Sequence, residues 1–163
     1  MVVKWQSISL CSNTTGQVMT DLKINPPSER MGESAETIDR YHTEKDNLFS
    51  SLKRRAKLCS NELNSMDNIQ CNEVEGSMYA FPSLQLMDKF CAEAKEMGVA
   101  PDFLYCQKVL EATGLAIVPG SGFGQKEGTH HFRTTILPLP EKRFENVFGE
   151  LKKFNNNLHK NYK

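Results

Sequence analysis

Apolar residues recur along this chain with a helical period in some stretches and an extended one in others. Over 35–63, Ile38, Tyr41, Leu48, Phe49, Leu52, Ala56, Cys59 and Leu63 follow the i, i+3, i+4, i+7 spacing of an amphipathic helix. Ser34 stands at its N-cap position, with Thr37 where a full capping box would have Glu or Gln. At ~1.5 Å per residue such a helix is about 40 Å long, longer than a small domain is wide, and so suited to project onto something outside the chain. Before it, Ile8, Leu10, Cys11, Val18, Met19 and Leu22 mark a weaker helix over 7–22, which Asn25-Pro26-Pro27 stops; residues 28–34 read as a loop. After it, 71–84 reads as extended, with Glu75-Gly76 as a turn or bulge between two short strands. Pro82 ends that run or places it at an edge.

Helical spacing returns at Leu84, Met87, Phe90, Cys91 and Ala94, predicting a helix over 84–97 closed by Gly98. Pro101-Asp102 opens another helix with proline in its favoured first turn. Its expected apolar face is Phe103, Leu104, Cys106, Val109, Leu110 and Ala112, and Gly114 stands where a C-cap would be. Residues 115–118 form a short apolar strand, followed by a turn at Pro119-Gly120 and a loop with glycines at 120, 122, 124 and 128. A second strand follows over 132–137. Phe144, Val147, Phe148, Leu151, Phe154 and Leu158 mark a last amphipathic helix. Helices and short strands without regular alternation predict an α+β fold: a small mixed or mostly antiparallel sheet packed by helices.

Composition narrows the function. Lysine plus arginine and aspartate plus glutamate each total 20 in 163 residues, so no global field recruits nucleic acid or an anionic membrane. The cysteines at 11, 59, 71, 91 and 106 are odd in number and contain no Cys-x-x-Cys, and read as reduced intracellular thiols. Lys53-Arg54-Arg55 is a phosphate site or a solvated helix face, the second being preferred. His130 and His131 point to opposite faces of a strand and do not make a metal pair.

The glycine loop has the look of a nucleotide motif, but its context excludes one. It leads into a strand rather than into the helix that would hold a pyrophosphate, and no glycine is followed by lysine and a hydroxyl residue. Arg133 is the one charge on the strand that follows, among Phe132, Thr134, Thr135, Ile136 and Leu137. It pairs either with an acidic residue of the chain or with a ligand. The ligand is preferred, because the loop leaves room and the planar guanidinium matches a carboxylate bidentately.

At these residues the chain resembles the alanine aminotransferases. The resemblance lies in Val118-Pro119-Gly120-Ser121-Gly122-Phe123-Gly124-Gln125-Lys126-Glu127-Gly128-Thr129 with His131-Phe132-Arg133-Thr134-Thr135-Ile136-Leu137-Pro138. It extends to Cys71-Asn72, Gly76-Ser77-Met78-Tyr79-Ala80-Phe81-Pro82, Ala100-Pro101-Asp102, Leu10-Cys11, Gly16-Gln17 and Asn25-Pro26-Pro27. It implies the small domain of a fold type I enzyme that uses pyridoxal phosphate to exchange an amino group between L-alanine and 2-oxoglutarate. Residues 1–27 would be a helical lead-in from a large domain and 28–163 the small C-terminal domain.

In that family a strand arginine of this domain grips the substrate α-carboxylate, and its place in the motif falls on Arg133. His130 departs from the tyrosine common there. The Schiff-base lysine and the groups that hold the cofactor lie upstream in the family, so the resemblance implies no catalytic or cofactor-binding residue in this chain. The chain alone is then expected to be inactive and to bind no pyridoxal phosphate. The implied partners are amino-acid and 2-oxo-acid substrates, the chain's own large domain and a second copy in a homodimer, with no nucleic acid and no membrane. A cytoplasmic site is expected, with an organellar address left open. The rival readings are an aminotransferase of other amino-acid preference and a non-catalytic assembly module acting through the long helix.

Overall fold

The structure, a computed structural model, describes residues 13–138 and 140–162. Ile8, Leu10 and Cys11, expected in the first helix, lie outside them. The chain divides into two compact units, Met1–Leu48 and Phe49–Lys163.

In the first unit, helix α1 (Thr14–Ile24) starts where Asn13 caps it, its Oδ1 accepting from the backbone N–H groups of Thr15 and Gly16. Thr14, Thr15 and Gly16, which weaken a helix interior, therefore form its first turn. Asn25 and the two prolines end it as expected. A short 3-10 turn (Glu29–Met31) precedes helix α2 (Ala35–Asn64). Ser34 caps α2 through the Thr37 N–H, and the Thr37 hydroxyl lies 3.0 Å from that of Ser34. The expected apolar stripe is buried only in the last part of α2, at Ala56, Cys59 and Leu63; Leu48 and Phe49 are exposed.

The second unit holds the sheet. Strands β1 (Ile69–Gln70), β2 (Tyr79–Ala80), β3 (Ser83–Leu84), β4 (Val118–Pro119) and β5 (His130–Thr135) are all paired antiparallel. β5 is the hub. Along one edge it pairs with β2 (Tyr79 opposite Thr135) and β3 (Leu84 opposite His130) in a single register. The Phe132 N–H donates to the Pro82 carbonyl, so the register runs unbroken through Phe81-Pro82 and Phe81 falls opposite Arg133. Pro82 lacks an N–H, but its carbonyl still serves the ladder, which is how a proline stays in the pairing. Along its other edge β5 meets β4, with Val118 opposite Arg133. Because β3 takes Leu84 into the sheet, the next helix, α3 (Asp88–Glu96), starts four residues later than the spacing predicts.

Helices α4 (Pro101–Thr113) and α5 (Glu141–Tyr162) complete the unit. α4 begins at its proline and ends on Gly114 in the left-handed region, as expected. Its buried face differs from expectation: Leu104, Tyr105, Cys106 and Val109 are buried, whereas Phe103 and Leu110 are exposed. Tyr105 replaces them because its ring packs on Phe132 of β5 and Phe154 of α5.

Phe132, Thr134 and Ile136 face the core, together with Phe90, Phe144, Phe148, Leu151 and Leu158. Each fully buried aromatic of this kind contributes ~2–3 kcal/mol of transfer free energy. Polar side chains are also locked inside. Asn68 and Asn155 exchange side-chain hydrogen bonds, with the Tyr105 hydroxyl donating to Asn155 Oδ1 at 3.3 Å. Arg55 is 3% exposed and donates from Nη1 to the carbonyls of Ile136, Leu137 and Pro138. The basic cluster is therefore split. Arg54 pairs with Glu141 and Lys53 is exposed, as a solvated face requires, while Arg55 satisfies the carbonyls that follow β5.

Candidate functional site

β5 alternates in burial, and Arg133 lies on the face opposite Phe132 and Thr134. Its guanidinium carbon is 4.6 Å from the centroid of the Tyr79 ring and 4.7 Å from that of Phe123, both within cation–π range. Among the described residues no carboxylate forms an ion pair with Arg133. The salt-bridge alternative left open by the sequence therefore has no partner here. The two rings hold the guanidinium over their π faces and carry no charge to pair it, so it stays available to a planar anion.

The glycine loop is ordered by three hydrogen bonds that could not be read from its composition. Gly120–Phe123 is a 3-10 turn whose Ser121 N–H donates to Asp102 Oδ2 at 2.6 Å. The same oxygen accepts from Gln125 Nε2 at 3.2 Å, and Gln125 Oε1 lies 3.1 Å from His131 Nδ1. Since the Gln125 amide nitrogen is committed to Asp102, its oxygen is the acceptor and His131 carries its proton on Nδ1. The His131 ring stacks on Phe81 at 5.1 Å and 4°, and Phe81 meets Phe123 edge-on at 5.8 Å. Gly120 admits no side chain, because a Cβ there would lie 2.7 Å from His131 Cβ and 2.8 Å from the His131 carbonyl oxygen.

Asp102 is 1% exposed, in the first turn of α4, where the helix dipole favours a carboxylate; its Oδ1 has no partner among the described residues. It already occupies the anion position beside the Ser121 amide. The loop is thus organised around an internal carboxylate, which takes the Ser121 amide. That amide is therefore not free to hold the phosphate of pyridoxal phosphate.

The sequence singled out Arg133; the structure adds Tyr79, Phe81, Phe123, Asp102 and Gln125 to its surroundings. The signal for Asp102 was the Ala100-Pro101-Asp102 motif, read there as a helix start and as part of the family resemblance, with no task given to the carboxylate. Among the described residues no group of three or more His, Cys, Asp or Glu could hold a metal ion, and no helix is long and apolar enough to cross a membrane. A cavity of about 790 Å³ lies elsewhere, against Leu52, Ala56, Val74, Met78, Ile136 and Leu137, and Arg133 does not line it. Cys59, Cys71 and Cys106 are buried free thiols, and burial pushes Cys59 and Cys106 up to about 12.

No protein-family model matches the chain. Over 99% of its length it is 46% identical to a probable mitochondrial alanine aminotransferase of Dictyostelium discoideum, covering 29% of that protein. It is 42% identical to an alanine aminotransferase 2-like protein of Danio rerio, covering 28%, and 42% identical to glutamate–glyoxylate aminotransferase 2 of Arabidopsis thaliana, covering 32%. Its fold superposes on an alanine aminotransferase from Pyrococcus furiosus with a TM-score of 0.66 at 24% identity, over 94% of this chain and 33% of that one. An aspartate aminotransferase from Rhizobium meliloti gives 0.61 at 23%, over 95% and 34%. The chain is therefore a homologue of alanine aminotransferases with the α+β fold of aminotransferase structures, and it spans less than a third of the relatives' length.

Proposed function

We propose that this homologue of the alanine aminotransferases supplies the substrate-carboxylate grip of an enzyme that converts L-alanine and 2-oxoglutarate to pyruvate and L-glutamate. Arg133 is the clamp. The observation that carries this is a half-buried guanidinium on β5, braced by Tyr79 and Phe123, that no acidic side chain pairs among the described residues. A bidentate arginine–carboxylate pair fixes the plane of the substrate's carboxylate and so the direction of its Cα–H bond, a positioning effect of several kcal/mol in favourable cases. Pyridoxal phosphate, when bound in such enzymes, serves as the electron sink for chemistry at that carbon. The groups that would hold it belong to a large domain, with residues 1–27 leading in from it and 28–163 forming the small domain. The full enzyme is proposed to be a homodimer that takes amino acids and 2-oxo acids. A cytoplasmic location is proposed, with a mitochondrial one the alternative that three relatives' names suggest. The glutamate–glyoxylate relative keeps a different amino-acid preference as the rival.

The test is a titration of the chain with pyruvate, followed by isothermal titration calorimetry, which reads the wild type and the Arg133 variants alike. Saturable binding in the wild type that is lost in both Arg133→Lys and Arg133→Ala is expected, because lysine keeps the charge without the fork. Equal binding in either variant refutes the clamp. Alanine-dependent pyruvate production at an ordinary enzymatic rate by the chain alone, with added pyridoxal phosphate, would refute the division of labour between two domains.

A further inference from the structure

The contacts around Arg133 close into a ring. Asp102 holds Ser121 and Gln125, Gln125 holds His131, His131 stacks on Phe81, Phe81 abuts Phe123, and Phe123 returns through the 3-10 turn to Ser121. Phe123 is both a member of this ring and one of the two aromatic braces of Arg133. Its side chain is 48% exposed, so little packing besides the ring fixes its place.

From this we infer that Asp102 is a positioning residue for Arg133: its carboxylate pins the Gly120–Phe123 turn, and the turn holds the Phe123 ring against the guanidinium. Asp102 does not touch the ligand. It sits on α4, and through the turn and the Phe123 ring it sets the orientation of the Arg133 guanidinium. The carboxylate suits this task because one oxygen accepts from both the turn's backbone and the Gln125 side chain, and charge-assisted bonds of this kind are stronger than neutral ones. Burial keeps water from competing for it. What Arg133 binds rests on the aminotransferase reading; that Asp102 orients it does not.

Two readouts on the 163-residue chain separate these statements: the Arg133 Nε–H resonance without ligand, and the affinity for pyruvate. Asp102→Ala should displace the resonance, and Asp102→Asn, which keeps an oxygen able to accept both bonds, should largely restore it. Phe123→Ala should displace the resonance as well and weaken pyruvate about threefold, the scale of an exposed cation–π pair. Asp102→Ala should weaken it by a similar factor, and the double variant no more than Phe123→Ala alone, since both act through one ring.

Additive effects, or a resonance unmoved by Asp102→Ala, overturn the inference. Should Asp102→Ala fail to fold, Phe123→Ala decides, because truncating an exposed ring leaves the core intact; an unmoved resonance there removes the link. If the wild-type chain does not bind pyruvate, the carboxylate reading fails while the ligand-free resonances still test the positioning role.

Discussion

Three glycines of the signature loop look alike in sequence, yet the structure requires three different responses to a methyl group. At Gly120 a Cβ would overlap Gln125 Oε1 and stand 2.7 Å and 2.8 Å from His131 Cβ and carbonyl oxygen, against 3.4 Å or more for ordinary contact. Gln125 can swing aside, but the His131 backbone is part of β5 and cannot do so without disturbing its pairing with Ser83. Overpacking of this kind costs about 1–3 kcal/mol, and losing the Gln125–His131 hydrogen bond adds ~1 kcal/mol. Gly120→Ala should therefore destabilise the chain by about 2–4 kcal/mol.

Gly124 has open space around it but a φ of 69°, so Gly124→Ala should cost ~1 kcal/mol from the left-handed backbone alone. Gly122 has neither restriction, and Gly122→Ala should stay within about 0.5 kcal/mol of wild type. Urea unfolding followed by far-ultraviolet circular dichroism, with linear extrapolation, gives the three values. The order 120, 124, 122 is the claim. A Gly122→Ala variant as unstable as Gly120→Ala, or a Gly120→Ala variant indistinguishable from wild type, would show that the close approach of the turn to β5 is wrong.

Arg55→Ala should destabilise by about 3 kcal/mol, because it strips the donor from three carbonyls after β5; Arg55→Met should do no better, since it fills the volume without a donor, and both are measurable by the same urea titration. Cys59 and Cys106, pushed up to about 12 chiefly by burial, should resist iodoacetamide at pH 8 in the folded chain, while the half-buried Cys91 reacts ahead of them; peptide mapping after labelling with and without urea checks the order. Hydrogen bonds from the Tyr162 hydroxyl and the Lys108 ammonium hold Glu93 below the usual carboxylate range. A group depressed in the folded state contributes stability above its unfolded pKa, ~4.3 for Glu, and loses it as pH falls through the folded value. The stability gap between wild type and Glu93→Gln should therefore be full at neutral pH and shrink below ~4.3; an unchanged gap in acid would remove Glu93 from the cluster.

What the amino-acid sequence settled by itself was local. The caps Ser34 and Gly114, the proline start of α4, the amphipathic last helix and the extended character of the Arg133 strand depend on residues within a few positions of one another, so their spacing sufficed to predict them and the α+β class. Arg133 was legible too, as one charge on an uncharged strand. Tertiary structure decided what depends on distant partners. The unbroken register through Phe81-Pro82 drew Leu84 into the sheet, delayed α3 and brought Tyr79 and Phe81 beside β5. Tyr105 displaced Phe103 and Leu110 from the buried face of α4 because Phe132 and Phe154 came to meet it. Arg55 left a basic cluster to satisfy carbonyls 81 to 83 positions away. Asp102 became an anchor only when the turn 19 residues later folded onto it. A side chain's periodicity records which face it can present, but the partner on that face is set by long-range pairing, which no local spacing encodes.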